Sequence, residues 1–410
     1  MKGEGFCMYS VGIDASKGKS TVCIIDQYGE VLLSPKDYKH NKEDLALLSK
    51  TIRKLTGNED VKIVMEATGI YHWPVLFFLK DDYFVSIINP LKMKLFSKDY
   101  NFRGVKTDKI DSKIIAMYGI EKWCSLKQFV VDEDIRQELK RLARSYMSYQ
   151  KPKIVMEQAL DLEIEKMMPG IKKILTDDEK LFDFIEYFHH YNNISKLSKE
   201  KFIDKFNKWK KKKGHRFHSY TPDKIYQLAT SVIPTSPCDE TSKLTIVTIT
   251  NSIKAINQGL NTILSRMHQL ASRLPEYKVV LAMTGVGYIL APLLIAEIGD
   301  IRMYNSKKSL VCTAGIDIPP YESGQFKATR RTITKKGNKY LRRHLYLVMT
   351  SLIMTKPKSD SAVYDFMMRK KEEHKLDKQV KVAGMRKFLH IYYARVRDHY
   401  KQLGIWDPKK

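Results

Sequence analysis

Cysteine is scarce in this sequence and poorly placed for cross-linking. The five thiols, Cys7, Cys23, Cys124, Cys238 and Cys312, are odd in number, widely scattered and include no C-x-x-C pair. That excludes a disulfide framework and a structural zinc site, and fits a reducing, cytoplasmic compartment. His189-His190 and His215-x-x-His218 have no neighbouring cysteines, so they do not restore a zinc reading. No apolar segment follows Met1, so no secretory signal is expected. No G-x-x-x-x-G-K-[ST] occurs, which leaves an ATP-driven mechanism without support. Long apolar runs are also rare. Val279 to Ala296 carries no charge, but it contains Gly285, Gly287 and Pro292 and runs straight into Glu297 and Asp300. It reads as two short buried helices joined at the glycines, not as a membrane span.

Acid is the remaining shortage. The 410 residues hold 46 Asp plus Glu against 72 Lys plus Arg, a formal charge of +26. Such an excess points to a polyanionic partner, nucleic acid before an anionic membrane, since no lipidation signal is visible. Hydrophobic residues make up 43%, enough to build two or three cored domains.

Three short β-branched runs open the chain: Tyr9 to Asp14, Ser20 to Asp26 and, after a Gly29 turn, Val31 to Leu33. They read as strands joined by hairpins. Asn41, with Asp44 three residues on, starts a helix whose buried stripe is Leu45, Leu48, Ile52 and Leu55. Val61 to Glu66 is a fourth strand, Trp73 to Leu79 an apolar helix, and Tyr83 to Ile88 a fifth strand. Hairpins followed by alternating strand and helix predict an α/β domain with a mixed five-stranded sheet.

Asp14 and Glu66 both close strands, at the sheet edge where open α/β folds collect ligands. Thr107 is a good N-cap for the helix that follows, which puts Asp108 and Asp111 in its first turn on one face. Taken alone, such a pair is ordinary helix capping. Together, Asp14, Glu66, Asp108 and Asp111 form a plausible cluster of divalent-metal ligands. Unneutralised carboxylates would repel nucleic acid, and bound Mg²⁺ removes that objection.

From Asp132 to about Glu276 the pattern turns to long helical segments, expected to be broken at Pro152, Pro169-Gly170 and Pro222. Lys208 to Lys213 is a charge run around Trp209, a solvated face or a nucleic-acid contact. Leu244 to Leu274 keeps one apolar stripe that suits either core burial or a short coiled coil. Gly285-Val-Gly287 allows a sharp hairpin whose backbone N–H groups could meet a phosphate. Between Tyr321 and His344 stand Lys327, Arg330, Arg331, Lys335, Lys336, Lys339, Arg342 and Arg343 against the single acid Glu322. That suits a phosphodiester backbone, and Ser323 beside Gly324 could be an exposed nucleophile, although a Ser-Gly pair is more often a turn. Beyond Met354 the chain is polar, basic and helical, and is expected to be peripheral.

These motifs together resemble a known family. Val11-Gly-Ile-Asp14, Val64-Met-Glu-Ala-Thr-Gly69 and Thr107-Asp-Lys-Ile-Asp-Ser112 resemble the RuvC-like domain of the DEDD insertion-sequence transposases. These are serine-dependent, bridge-RNA-guided recombinases related to pilin-gene invertases. Thr284-Gly-Val-Gly, Ala296-Glu-Ile-Gly-Asp300, Ala314-Gly-Ile, Ser323-Gly324, Lys335-Lys-Gly-Asn338 and Leu341-Arg342 resemble that family's C-terminal transposase domain. Arg331-Thr332 departs from it, standing where many relatives carry a glycine.

The resemblance implies a RuvC/RNase H-like domain over 1–125 and a helical, coiled-coil linker over 126–275. A mainly α transposase domain with a helix-hairpin-helix-like start would follow over 276–355, then a basic helical tail over 356–410. It implies that Asp14, Glu66, Asp108 and Asp111 hold Mg²⁺ or Mn²⁺. Ser323 would then attack the scissile phosphate to give a phosphoserine–DNA link. Expected partners are double-stranded DNA (element ends and target), a guide RNA encoded beside the gene, and further copies of the chain as a dimer or tetramer. The setting would be a prokaryotic cytoplasm, at the nucleoid when DNA is bound. Expected nucleic-acid contacts are Lys92, Lys94, Arg103, Lys106, Gly285, Gly287, Lys327, Arg330, Arg331, Lys335, Lys336, Asn338, Arg342 and Arg343. The alternative is a RuvC-like nuclease that hydrolyses DNA with water and metal.

Overall fold

A computed structural model describes residues 7–57, 59–67, 69–100, 107–129, 134–320, 322–323, 326–327 and 332–407, without the side chains of Asp134, Glu322, Ser323, Phe326 and Lys327. The chain forms two compact units, Met1–Val131 and Asp132–Lys410.

Unit 1 runs β1 (Met8–Ser16), β2 (Lys19–Asp26), β3 (Val31–Lys39), α1 (Lys42–Thr56), β4 (Asp60–Glu66), α2 (Trp73–Leu79), β5 (Phe84–Ile88), α3 (Pro90–Tyr100) and α4 (Asp108–Glu121). The sheet order is β3-β2-β1-β4-β5, with antiparallel β1–β2 and β2–β3 pairs and parallel β1–β4 and β4–β5 pairs. The mixed five-stranded sheet expected from the sequence is therefore present. Alternation along β1 sorts its side chains between two layers. Val11 and Ile13 pack with Leu45, Leu48 and Ile52 of α1 and Val75, Leu76 and Leu79 of α2. Ser10 and Gly12 face α4 instead, and Val64 of β4 joins Ile114, Ile115 and Tyr118 on that side.

Glycine sets how closely α4 approaches. A Cβ on Gly12 would stand 2.2 Å from both the Ala116 nitrogen and the Ser112 carbonyl oxygen, so helix backbone lies directly on strand backbone. At Gly119 a Cβ would come within 2.0 Å of Ser10 Oγ.

Unit 2 is helical. Its elements are α5 (Asp134–Met167), α6 (Asp178–Phe188), α7 (Asn192–Ser195), α8 (Lys199–Lys213), α9 (Thr221–Ser231), α10 (Glu240–Ala271), α11 (Tyr277–Leu281), α12 (Gly287–Ile298) and α13 (Lys307–Ala314). A two-stranded ribbon, β6 (Glu322–Ser323) and β7 (Phe326–Lys327), precedes α14 (Lys339–Thr355), α15 (Ala362–Glu372) and α16 (Asp377–Gln402). The antiparallel pair α5 and α10 spans two hydrophobic cores. Leu139, Ala143 and Met147 share one with Leu260, Leu264, Met267 and helices α11 to α16. Leu160, Ile164 and Met167 share the other with Ile246, Ile253 and helices α6 to α9.

Three expectations are corrected here. Pro152 does not break the chain, because α5 continues through it; its ring is exposed, and the long packed flanks outweigh one missing hydrogen bond. The segment beyond Met354 is not peripheral. Val380, Met385, Phe388, Leu389, Tyr392, Val396 and Tyr400 of α16 are buried in the first core, their spacing keeping one face inward. Finally, Trp209 is no surface aromatic: at 3% exposure it packs among Phe184, Phe188 and Phe206, and only the lysines around it meet solvent.

The run Val279 to Ala296 forms α11, a glycine-containing turn and α12, as expected. Among the described residues no helix is long and apolar enough to cross a membrane.

Candidate active site

The four carboxylates reach one place through strand register, strand alternation, a helix cap and the seat of α4. Ile13 of β1 pairs with Met65 of β4 in parallel register, so the next residues, Asp14 and Glu66, emerge at the same level. Asp14 lies two residues beyond Gly12, and Glu66 two beyond Val64, so both point to the α4 side. The Thr107 hydroxyl accepts the Ile110 N–H and starts α4 at Asp108. The close seat of α4 on Gly12 then carries Asp108 and Asp111 to the same sheet edge.

The result is a cleft of about 730 Å³ lined by Asp14, Glu66, Asp108 and Asp111. Lys17, Lys94, Lys98, Tyr71 and Ser97 complete its polar wall. Asp14, Glu66 and Asp111 are half-buried and Asp108 is exposed. Nearby, hydrogen bonds from Lys19 and Thr21 hold the Asp37 carboxyl below its ordinary range. The Lys19 ammonium is raised, chiefly by Asp37 and also by the field of Asp108.

Hard carboxylate oxygens around one cleft are the donor chemistry that Mg²⁺ or Mn²⁺ prefers. No group of three Asp, Glu, His or Cys side chains is gathered to coordinating distance among the described residues. An ion bound here would have to draw the carboxylates inward.

Of the basic residues expected to meet nucleic acid, Lys94 lines the cleft, and Lys92 is exposed on the same helix away from it. Arg103 and Lys106 lie outside the described residues. Sequence reasoning missed Lys17, whereas Lys98 lies within the basic stretch 92–106 expected to contact the backbone. Lys98 follows Lys94 by four residues on α3, which brings both to the cleft.

Ser323 belongs to unit 2, where its backbone in β6 pairs with Phe326 of β7. Its side chain, that of Lys327, and all of Arg330 and Arg331 lie outside the described residues. The two ends of this segment are clamped together. Asn338 N–H donates to the Thr313 carbonyl, Lys335 N–H to Gly315 and Thr334 N–H to Asp317. The Thr334 hydroxyl also donates to Asp317 Oδ1 at 2.7 Å. Arg342 donates from Nη1 to the carbonyls of Ala314 and Gly337. A Cβ on Gly337 would stand 2.5 Å from the Thr313 carbonyl oxygen, so this closure needs glycine.

Asn338 does two jobs. Its Oδ1 accepts the N–H groups of Tyr340 and Leu341, capping α14, and its Nδ2 donates to Glu297 Oε2 at 2.6 Å. Glu297 is buried at 3% exposure and also receives Arg144 Nη2 at 2.8 Å, while its Oε1 has no hydrogen-bond partner among the described residues. Lys335, Lys336 and Arg343 are exposed. Gly285 is occupied by packing, since a Cβ would meet Leu352 at 2.7 Å; Gly287 has open space around it.

Known proteins match this chain at both ends. Residues 11–155 match a transposase model of the DEDD IS110 type, and residues 277–364 match that of the transposase IS116/IS110/IS902 family. The pilin gene-inverting protein of Moraxella lacunata is 24% identical over 399 residues, covering 95% of this chain and 96% of the relative. That of Moraxella bovis is also 24% identical, over 395 residues, with the same coverage of each chain. The insertion element IS900 uncharacterized 42 kDa protein of Mycobacterium paratuberculosis is 26% identical over 164 residues, 40% of each chain. Matched at its carboxylate-bearing start and again across the Ser323 segment, the chain belongs to the IS110-type insertion-sequence transposases.

Proposed function

We propose that this transposase cuts and rejoins DNA through a phosphoserine intermediate at Ser323, with divalent ions held by Asp14, Glu66, Asp108 and Asp111. The observation that carries the reading is the common cleft of those four carboxylates, flanked by Lys17, Lys94 and Lys98. Bound Mg²⁺ would supply Lewis-acid polarisation of the scissile phosphate. The lysines at the rim would hold the flanking phosphodiesters, adding the positive charge the carboxylates lack.

Ser323 Oγ would bond to phosphorus as its proton leaves, the P–O bond to one deoxyribose oxygen would break, and that oxygen would take up a proton. Attack by a new DNA hydroxyl on the phosphoserine reverses these steps and releases the serine. The phosphodiester energy is kept in the covalent link, so rejoining needs no nucleotide cofactor. An element-encoded guide RNA would choose the sites by base pairing, leaving backbone contacts to the protein. The partners are DNA at element ends and target, that RNA, and further copies of the chain.

The test incubates protein, Mg²⁺, element-end DNA and flanking-sequence RNA, then resolves covalent adducts on a denaturing gel. Wild type should form an adduct that Ser323→Ala and Asp14→Asn both abolish. A Ser323→Ala protein that still cuts DNA would instead establish a hydrolytic RuvC-like nuclease, a reading favoured by the full carboxylate set lying within unit 1. An adduct that forms equally without RNA would remove the guide from the scheme.

A further inference from the structure

A second cleft, of about 430 Å³, lies in the lobe built by α6 to α9, in unit 2. Its wall includes Thr176, Lys180, Arg216, Phe217 and His218. Local contacts build this corner. Gly214 ends α8 in the left-handed conformation, and the next residue, His215, is held at 3.0 Å by Asp183. Phe217 packs toward Phe206 and Trp209, ring centroids 5.3 and 5.8 Å away. With residues 215 and 217 tied inward, Arg216 and His218 are left exposed at the cleft. His218 stacks on the half-exposed Tyr220, rings 5.1 Å apart and 4° from parallel. Lys180 lies 5.5 Å over the Phe217 ring.

The charges here are distributed unevenly. On the neighbouring surface Lys213 and Lys254 are neutralised by Asp183 and Glu186. Lys180 and Arg216 have no ion-pair partner among the described residues. The one carboxylate at the cleft, Asp177, is engaged by the Lys180 N–H as the cap of α6. Unpaired cations beside stacked rings are the combination that holds a phosphodiester and the π-face of a base together. Duplex DNA offers its phosphates but not its base faces, which are stacked on one another.

We propose that this cleft binds an unpaired nucleotide of a single-stranded nucleic acid. Arg216 and Lys180 take the phosphate, and the base lies against His218 and Tyr220. Lys210 to Lys212, in the last turn of α8, add positive charge beside it. The assignment does not depend on Ser323 or on the carboxylate cleft.

The chain is basic throughout, so the test has to report on this corner. Full-length protein is mixed with single strands carrying 4-thiouridine or 4-thiothymidine, as RNA and as DNA of one sequence. After irradiation the crosslinked peptides are mapped by mass spectrometry. The expected result is crosslinking within residues 214–220, resisted by unlabelled single strand and not by duplex. Crosslinking of both strands supports the shared chemistry, and crosslinking of one alone assigns the source. The double variant Lys180→Ala/Arg216→Ala should lose the crosslink and flatten the salt dependence of single-strand binding by about 0.7, the amount for the one phosphate the two cations share. His218→Ala with Tyr220→Ala should lose the crosslink and keep the salt slope. Absence of any crosslink in 214–220, competition by duplex as strong as by single strand, or an unchanged slope in Lys180→Ala/Arg216→Ala would overturn the assignment.

Discussion

Alanine at the two buried glycines where α4 meets β1, Gly12 on the strand and Gly119 on the helix, should differ in whether a second substitution can rescue it. At Gly12 the added Cβ meets helix backbone on two sides, at 2.2 Å from a nitrogen and 2.2 Å from a carbonyl oxygen. Backbone cannot rotate away, so α4 must lift from the sheet. Overpacking ordinarily costs about 1–3 kcal/mol, and Gly12→Ala should reach about 3 kcal/mol or more. At Gly119 the obstruction is one side-chain atom, Ser10 Oγ at 2.0 Å; the next contacts, Val64 Cγ2 and Ser10 Cβ, are at 3.0 and 3.1 Å. That hydroxyl is buried with no hydrogen-bond partner among the described residues, so Ser10→Ala alone should be neutral or slightly stabilising. Gly119→Ala alone should cost roughly 1–2 kcal/mol. The pair Ser10→Ala/Gly119→Ala should exceed wild type, since alanine is favoured over glycine inside a helix by about 1 kcal/mol. Hydrogen exchange of β1 and α4 amides in the full chain, read by mass spectrometry, gives the local opening free energy for each variant. A Gly119→Ala that Ser10→Ala fails to rescue, or a Gly12→Ala within about 0.5 kcal/mol of wild type, would refute this account of how α4 is seated.

Three further predictions concern unit 2. Burial, reinforced by the charges of Arg343 and Arg144, pushes the fully buried His344 imidazole from 6.5 down to about 4. The folded chain therefore refuses a proton that the unfolded chain accepts. Stability should fall as pH drops from 6.5 toward 4, by roughly 3 kcal/mol from this group, and His344→Leu should flatten that part of the melting profile. Arg136 and Glu276 form a buried pair to which Tyr400 also donates. Arg136→Met should cost about 3–5 kcal/mol by denaturant titration, and adding Glu276→Leu should recover most of the loss. Asn338→Asp keeps the cap of α14 but sets a carboxylate against Glu297. It should destabilise by about 2 kcal/mol, and Glu297→Gln, which restores a donor, should rescue it. If Asn338 is only a cap, Asn338→Asp will be silent.

What could be read in advance was local. Asn41 and Thr107 do cap α1 and α4, and the β-branched runs became strands because hairpins and caps depend on a few adjacent residues. Glu66 closes β4 as expected, whereas β1 runs two residues past Asp14 to Ser16; that the two carboxylates stand at one level follows from the Ile13–Met65 register, a pairing 52 residues apart. Gly12 looked like an unremarkable strand residue until α4 was found lying on it. Helix α16 reads as peripheral because its lysines and arginines hide a regular inward series from Val380 to Tyr400 rich in tyrosine. Pro152 was over-weighted, since propensity at one position yields to the packing of a 34-residue helix.

The α6–α9 lobe leaves and rejoins the long helices at a single point. The Thr235 and Ser236 N–H groups donate to the carbonyl of Lys166, so the last turn of α5 touches the segment leading into α10. Between them some seventy residues fold around an aromatic centre that also covers Leu160 and Ile164 of α5 and Ile246 and Ile253 of α10. Closing a longer loop between two such helices costs little, growing only with the logarithm of its length. Changes of length at the tip of the α5–α10 hairpin are therefore cheap, provided that what fills it still covers the apolar faces of Leu160, Ile164, Ile246 and Ile253.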